Sequence, residues 1–195
     1  MNEPAHEVMW RRLRYLLTPQ FDLYLSIAEK LKGKPNVLEV GFGTGAGVLL
    51  YAHQVSFVHA IDVDPGAVTF AKTMFPLSNV TWMTGDITKF NSDRKYTAAV
   101  MVETLEHIHD WRRALQNVWD HLDLGGDLII TARNANADLR RWKELHEREW
   151  KASEFRKALL EVFQQVWLYD WSLKVPQDDS STLTPLVAID RKSVV

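Results

Sequence analysis

A chain of 195 residues is long enough for one domain with a substantial buried core, and we expect a single domain over residues 1–195. Its 23 Lys and Arg residues nearly balance 25 Asp and Glu residues, so the net charge of −2 gives no general attraction to nucleic acid or acidic membranes. The absence of cysteine excludes disulfides, thiolate metal ligands and cysteine nucleophiles. No apolar run approaches the ~18 residues of a membrane span and no signal-peptide pattern is seen, so we expect a cytoplasmic protein without membrane contact.

Residues 1–34 are expected to form a helical cap that precedes a core at residues 35–195. Apolar residues recur at helical spacing and predict two helices in the cap, the second of which ends at Gly33. The apolar side of the second helix consists of Phe21, Tyr24, Ala28 and Leu31.

Residues 36–47 read Asn-Val-Leu-Glu-Val-Gly-Phe-Gly-Thr-Gly-Ala-Gly and predict a buried strand, a tight turn and the start of a helix. Gly41, Gly43 and Gly45 lack a Cβ atom, so the backbone can turn sharply and approach a ligand closely. The free N–H groups at the start of the helix favour a carboxylate or a phosphate. This pattern is typical of a nucleotide-binding loop.

Two classes of cofactor are compatible with this loop. Gly41, Gly43 and Ala46 satisfy the dinucleotide pattern G-x-G-x-x-G/A, and Asp62 follows about 20 residues later, where a ribose-binding acid belongs. NAD is therefore one candidate. However, Glu39 immediately precedes the loop, where a carboxylate would oppose a pyrophosphate but could hold an ammonium group. S-adenosylmethionine carries such an ammonium group.

Residues 37–45 resemble motif I of the class I S-adenosylmethionine-dependent methyltransferases. The resemblance implies an α/β, Rossmann-like fold with a seven-stranded, mostly parallel sheet, helices on both faces and a C-terminal antiparallel hairpin. It also implies S-adenosylmethionine as the cofactor, with Glu39, Gly41, Gly43 and Gly45 among the residues that bind it.

A second strand is predicted at residues 57–63, with Asp62 at the C-terminal end, where ligands bind in open α/β sheets. A carboxylate at this place can accept hydrogen bonds from both ribose hydroxyls, and we assign the neighbouring Val63 to the same site. Asp64 and Pro65 suit the N-cap and the first position of the next helix, so Asp64 has a sufficient structural explanation.

A third strand at residues 80–83 leads into Asp86 and Ile87. In the resembled family, the acid after this strand accepts a hydrogen bond from the adenine amino group, and the next backbone amide meets a ring nitrogen. Asp86 also fits a purely structural role, because Gly-Asp is ordinary turn chemistry.

A fourth strand is predicted at residues 96–102, whose nearly continuous apolar run is typical of a central parallel strand buried on both faces. The polar sequence Glu-Thr-Leu-Glu-His-Ile-His-Asp follows at residues 103–110. His109 or Asp110 can cap a helix that continues through Leu122 and ends at Gly125. A fifth strand is predicted at residues 127–132.

The E-x-x-E-H motif in this polar sequence resembles two groups of methyltransferases. One group comprises the ubiquinone-biosynthesis O-methyltransferases and their small-molecule relatives. The other comprises the small-RNA 3′-terminal 2′-O-methyltransferases, in which two glutamates and two histidines hold a divalent cation. Carried over, the ligands are Glu103, Glu106, His107 and the distant His146, a set suited to magnesium or manganese. Alternatively, Glu103 contacts the methionine end of the cofactor, while Glu106 and His107 only orient the helix.

Beyond the fifth strand, residues 135–165 are expected to be helical, and strands at 166–175 and 183–189 are expected to form a hairpin. The inward-facing stripe of the helical region consists of Phe155, Leu159, Leu160 and Phe163.

We therefore expect an S-adenosylmethionine-dependent methyltransferase that acts on an oxygen or nitrogen of a small molecule and has no metal. His107 is the first candidate for a catalytic base because its unperturbed pKa lies near neutrality, with Glu103 or His146 behind it. One alternative is a metal-dependent RNA 3′-terminal 2′-O-methyltransferase. Another is a non-catalytic module that binds S-adenosylmethionine or a protein partner.

Overall fold

The structure is a computed structural model that describes residues 20–135, 148–169, 173 and 186–192. The first predicted cap helix and His146 lie outside these residues. The described strands form a seven-stranded sheet in the order β3-β2-β1-β4-β5-β7-β6. They are β1 (Asn36–Val40), β2 (Phe57–Asp62), β3 (Val80–Thr84), β4 (Tyr96–Met101), β5 (Leu122–Ala132), β6 (Gln165–Tyr169) and β7 (Leu186–Arg191).

The pairs among β1 to β5 are parallel, whereas β7 is antiparallel to both β5 and β6. This topology confirms the mostly parallel sheet and the antiparallel pair at its C-terminal end. The described helices are α1 (Phe21–Leu31), α2 (Ala46–Tyr51), α3 (Pro65–Met74), α4 (Trp111–His121) and α5 (Ala152–Leu159), with short 3-10 turns at Ala52–Gln54 and Leu105–His107.

Helices cover both faces of the sheet, as expected. Side chains of β1 alternate between two apolar clusters, with Val37 in the cluster that contains α1, α2 and α3, and Leu38 in the cluster that contains α4 and α5. Because both faces are buried, the central strands are continuously apolar. The same alternation turns Glu39 toward the face that α1 and α2 cover.

Two helices begin at the N-cap residues that the sequence predicted. The Asp64 side chain accepts a hydrogen bond from the Gly66 N–H at 2.7 Å, with Pro65 at the first helical position of α3. The Asp110 side chain accepts one from the Arg113 N–H at 3.2 Å and caps α4. In each case a short acidic side chain satisfies a backbone donor that the helix leaves unpaired.

The end of α4 differs from the prediction. The helix stops at His121, and Leu122 already begins β5, where it pairs with Tyr96 before the register jumps to Ala98 opposite Asp127. Gly125, with a φ of +75°, donates its N–H to the carbonyl of Lys192 rather than ending the helix. The helical spacing of the apolar residues includes Leu122. This spacing therefore could not show that Leu122 pairs with Tyr96 as part of the sheet.

The helical region after β5 was also predicted too long. Within the described residues, α5 covers only Ala152–Leu159, and Trp150 instead forms an isolated parallel bridge with Asn134. Of the predicted inward stripe, Leu160 is 39% exposed, whereas Phe155, Leu159 and Phe163 are buried. None of the described helices is long and apolar enough to cross a membrane.

Candidate active site

A cavity of about 600 Å³ opens at the C-terminal ends of four neighbouring strands, in the order β3, β2, β1 and β4. Its size lies within the range of small-molecule sites. The predicted site residues that line it are Gly41, Asp62, Val63, Asp86, Ile87, Glu103 and His107. The remaining described candidates, Glu39, Gly43, Gly45 and Glu106, do not line it.

Two loop glycines are required by packing as well as by backbone conformation. Gly41 has a φ of +71°, and a Cβ added there would overlap the side chain of Thr104. The Thr104 hydroxyl donates to the carbonyl of Val40 at 3.2 Å and thereby holds the loop against the segment after β4. Gly45 has a φ of +78°, and its Cβ would lie 2.9 Å from the Trp82 ring. Gly45 therefore packs into the core and does not face the cavity.

Asp62 is held in place by the backbone on both sides. One carboxylate oxygen accepts the Gly43 N–H at 2.8 Å, and the other accepts the Asp64 N–H at 2.9 Å. A carboxylate can accept about four hydrogen bonds, so each oxygen retains one free lone pair. Asp62 can therefore accept two further donors from a ligand in the cavity.

Asp86 forms the turn that its sequence context suggested. One of its oxygens accepts hydrogen bonds from the N–H and the hydroxyl of Thr88, at 2.9 and 2.7 Å. These bonds, more than the nearby Lys89, hold the pKa of Asp86 below its usual range. The second oxygen lies 3.1 Å from the largely exposed Lys89 ammonium. Since Asp86 also lines the cavity, the structure allows both the turn role and a ligand contact.

Glu39 does not line the cavity and is fully buried between two tyrosines. Tyr24 of α1 donates to one carboxyl oxygen at 2.9 Å, and Tyr51 of α2 donates to the other at 2.8 Å. Burial raises the pKa of Glu39 to about 8, and the two hydroxyls act in the opposite direction. This carboxyl group therefore joins α1 and α2 to β1.

Glu103 has a strained backbone at the edge of the cavity, with a φ of +49° that residues other than glycine rarely adopt. Its N–H donates to the hydroxyl of Thr131 at 2.8 Å, and that hydroxyl lies 3.3 Å from the Glu103 carboxylate. Arg133 is 3.9 Å from the same side chain. Burial raises the pKa of Glu103, while Arg133 lowers it.

Glu106 is fully buried behind the cavity, and neither of its carboxyl oxygens has a hydrogen-bond partner among the described residues. Burial raises its pKa to about 8, and the charge of Glu103 acts in the same direction. Sequence reasoning did not assign Thr131 or Arg133 to this site. A signal for them was available in the polar Thr-Ala-Arg-Asn sequence at the end of β5. Because β5 lies beside β4, polar residues at its end are close to the residues that follow β4.

His107 belongs to the 3-10 turn Leu105–His107, where its side chain is exposed and lines the cavity. Among the residues the structure describes, no three His, Cys, Asp or Glu side chains come together as a possible metal site. Glu103, Glu106 and His107 therefore do not form such a group, while the fourth proposed ligand, His146, lies outside the described residues.

The sequence matches the family model described as "Methyltransferase domain" over residues 9–175. The chain belongs to this methyltransferase family. Fold and family thus agree with the resemblance in the glycine loop and in the acids that follow the strands.

Individual relatives cover different parts of the chain. Nodulation protein S of Rhizobium tropici is 30% identical over 132 residues, which are 65% of this chain and 55% of that protein. The ubiquinone biosynthesis O-methyltransferase of Rickettsia akari is 27% identical over 134 residues, or 66% of this chain and 51% of that protein. The chain spans about half the length of these curated relatives.

A crystal structure of the N-methyltransferase NodS from Bradyrhizobium japonicum, in complex with S-adenosyl-L-homocysteine, has a similar fold. The two chains are 25% identical with a TM-score of 0.66, and the match covers 92% of this chain and 86% of that chain.

Proposed function

We propose that the chain transfers a methyl group from S-adenosylmethionine to a nitrogen or an oxygen of a small molecule. The observation that carries the proposal is the cavity, which extends across four strand ends from Asp86 and Asp62 to Glu103 and His107. Asp62 and Asp86 can accept hydrogen bonds from the hydroxyl and amino groups of a nucleoside in this cavity. The solved complex of NodS with S-adenosyl-L-homocysteine supports the same class of cofactor.

The residues present fit this cofactor. Asp62 retains two lone pairs for the two ribose hydroxyls, because each oxygen already accepts one backbone N–H. Asp86 and Ile87 line the part of the cavity beside β3 and would hold the adenine. Gly41 and Glu103 follow the neighbouring strands β1 and β4, both line the cavity, and would hold the methionine end.

Glu39 has a different role in this proposal from the one expected from the sequence. Both of its oxygens accept hydrogen bonds from buried tyrosines, and it does not line the cavity. We therefore assign it to supporting the glycine loop from behind, and we assign Gly43 and Gly45 to the shape of that loop. Gly43 contributes through its N–H, which fixes the Asp62 carboxylate.

When bound, S-adenosylmethionine supplies a methyl group activated by a positively charged sulfur. The chain's own contribution is then mainly to hold the acceptor in line with that methyl group, since orientation alone lowers the barrier substantially. His107 and Glu103 line the cavity beside β4 and are the candidates for removing a proton from the acceptor.

The metal-dependent RNA reaction receives no support from the described residues, because Glu103, Glu106 and His107 do not form a group that could hold a metal ion. The net charge of −2 likewise offers RNA no general attraction. A non-catalytic binding module remains the alternative from another class, and only an assay of methyl transfer separates it from an enzyme.

The test is incubation with methyl-labelled S-adenosylmethionine and fractionated small-molecule and RNA pools, with and without a chelator. We expect label in a small-molecule fraction regardless of chelator, and a reduction of about 10²–10⁴-fold in kcat for His107→Ala. Glu161→Gln is the matched control, since Glu161 is a surface residue paired with Arg112. Label in RNA 3′ ends that disappears with chelator, or cofactor binding without any transfer, would contradict the proposal.

A further inference from the structure

Helix α1 contacts the cavity wall from behind through a single hydrogen-bonded tyrosine. Of the described residues that line the cavity, none belongs to α1. However, Tyr24 of α1 is only 6% exposed, and its hydroxyl donates to the Glu39 carboxyl at 2.9 Å. Glu39 is followed directly by Val40 and Gly41, both of which line the cavity. Tyr24 therefore holds the strand end that forms one wall of the cavity.

The direction of α1 places Tyr24 near the cavity end of the sheet. Leu31, the last residue of α1, lines a small cavity together with Ala98, which lies near the start of β4. Tyr24 precedes Leu31 by about two helical turns, or about 10 Å, and contacts Glu39 near the end of β1. Helix α1 thus runs opposite to the strands, so its first turns lie closest to the cofactor site.

The ring of Tyr24 also packs against α2, the helix that follows the glycine loop. A Cβ added at Gly47 in α2 would overlap this ring, so the ring lies against bare backbone. Only glycine permits such a close approach. Tyr24 therefore contacts the elements on both sides of the glycine loop, namely β1 through Glu39 and α2 through Gly47.

Tyr24 also lies near the residue that follows β4. Burial raises the pKa of the Tyr24 hydroxyl, and both Glu39 and Glu103 act in the same direction. Since electrostatic interactions fall with distance, Glu103 must lie close to Tyr24. For Tyr51, which bonds the other oxygen of Glu39, burial also has the largest effect on the pKa and is followed by Glu39 and Tyr24.

We propose that Tyr24 is a positioning residue for the methionine end of the cofactor and that it makes α1 part of the cofactor site. The inference rests on the methyltransferase function proposed above, in which Gly41 and Glu103 hold this end. Tyr24 touches the support of the first residue and lies close to the second. Coupling between two sites is reciprocal, so a ligand that tightens the docking of α1 is bound more tightly when α1 is docked.

Hydrogen–deuterium exchange of the wild-type protein tests this coupling with two ligands, each at saturating concentration. S-adenosyl-L-homocysteine has an amino-acid part, whereas 5′-methylthioadenosine keeps the adenosine and the sulfur but lacks that part. We expect S-adenosyl-L-homocysteine to slow exchange in α1 by about fivefold more than 5′-methylthioadenosine does. Both ligands should protect residues 85–88, which line the adenine end of the cavity.

Two matched variants, Tyr24→Phe and Tyr51→Phe, each remove one hydroxyl from the same carboxyl group and keep the ring. Leu23, Ile27 and Leu31 are fully buried and should keep α1 folded against the core in Tyr24→Phe. Calorimetry should show that Tyr24→Phe weakens S-adenosyl-L-homocysteine by about fivefold or more and 5′-methylthioadenosine by less than about twofold. The variant should also lose the protection of α1.

Tyr51→Phe should leave the ratio of the two affinities within about twofold of the wild type and should retain the protection of α1. The reason is that Tyr24 still joins α1 to Glu39 in this variant, while α2 follows the glycine loop directly in the chain. A merely structural role of Tyr24 would weaken both ligands equally and would not change this ratio.

Three results would overturn the inference while the proposed function stands. The first is protection of wild-type α1 by S-adenosyl-L-homocysteine that is no greater than that by 5′-methylthioadenosine, which decides the question even if Tyr24→Phe fails to fold. The second is an unchanged ratio of affinities in Tyr24→Phe, and the third is an equal change of this ratio in both variants. A wild-type protein that does not bind S-adenosyl-L-homocysteine would overturn both proposals.

Discussion

Gly41 and Gly43 have similar backbone conformations but different surroundings, with φ angles of +71° and +53°. A Cβ at Gly41 would overlap Thr104, whereas a Cβ at Gly43 would meet nothing within 4 Å. Left-handed strain costs a non-glycine residue about 1–2 kcal/mol, and overpacking costs about 1–3 kcal/mol more. We therefore expect Gly41→Ala to lower the free energy of unfolding by more than about 2 kcal/mol, and Gly43→Ala by only about 1 kcal/mol, in urea denaturation.

Thr104→Ala provides the control for this comparison. It should recover part of the loss in the Gly41→Ala background, because it removes the atoms that the new Cβ meets. It should recover nothing in the Gly43→Ala background. Equal losses at the two glycines would show that Thr104 does not limit the space at Gly41.

The buried carboxyl group of Glu39 should make stability depend on pH. Burial raises its pKa in the folded protein to about 8, against an ordinary value of 4.5. Between these values the unfolded chain loses the proton while the folded protein keeps it, so this group's contribution to stability falls as pH rises from about 4.5 to about 8. The decline has an upper bound of about 1.4 kcal/mol per pH unit for one group.

Glu39→Gln removes the titrating group, so the variant should lose less stability than the wild type between pH 5 and pH 8. Urea denaturation at each pH measures the difference. Glu154→Gln, a surface variant in the first turn of α5, should retain the wild-type slope. Parallel curves for the wild type and Glu39→Gln would show that Glu39 does not carry a displaced pKa.

Sequence reasoning identified the residues that belong to the strand ends, because an acid directly after a buried strand has a predictable place at the edge of a parallel sheet. Asp62, Asp86 and Glu103 were found in this way. It could not find the pairing of Glu39 with Tyr24 and Tyr51, because these hydrogen bonds join three elements through side chains whose directions follow from packing.

Among the helices, α3 allows a direct test of N-capping by an acidic side chain. The Asp64 side chain caps the helix, while the neighbouring Asp62 side chain lines the cavity. Loss of an N-cap costs about 1 kcal/mol. We expect Asp64→Ala to lower the free energy of unfolding by about that amount without weakening binding of S-adenosyl-L-homocysteine. Asp64→Ser, which keeps a capping oxygen, should restore most of the stability. Weaker ligand binding in Asp64→Ala would show that Asp64 is part of the site.

The boundary between α4 and β5 shows where local patterns stop being sufficient. The helical spacing of apolar residues continues through Leu122, but in the fold this residue pairs with Tyr96 as part of β5. Gly125 was interpreted as a helix end because glycine often adopts positive φ there. It does adopt positive φ, but within an irregular strand start that hydrogen-bonds to Lys192. A contact with a residue so distant in sequence has no local signal.

At the scale of the whole molecule, the order of strands, glycine loop and helices was predictable because both faces of the sheet are buried. Continuous apolar runs then alternate with helical patterns, and this alternation defines a doubly wound sheet. The region after β5 was less predictable. There the described chain combines a short helix, whose apolar stripe was recognised but whose ends were not, with an isolated bridge between Asn134 and Trp150 that has no periodic pattern.

The central claim is that the cavity at the strand ends binds S-adenosylmethionine and its product. Isothermal titration calorimetry with S-adenosyl-L-homocysteine tests it most directly, with NAD as the competing ligand. We expect one molecule to bind per chain, NAD to show no comparable affinity, and Asp62→Ala to weaken binding by about 10–100-fold, since it removes acceptors for the ribose hydroxyls. Tight binding of NAD would contradict the claim. So would a wild-type protein that does not bind S-adenosyl-L-homocysteine, or an Asp62→Ala variant that binds it as tightly as the wild type.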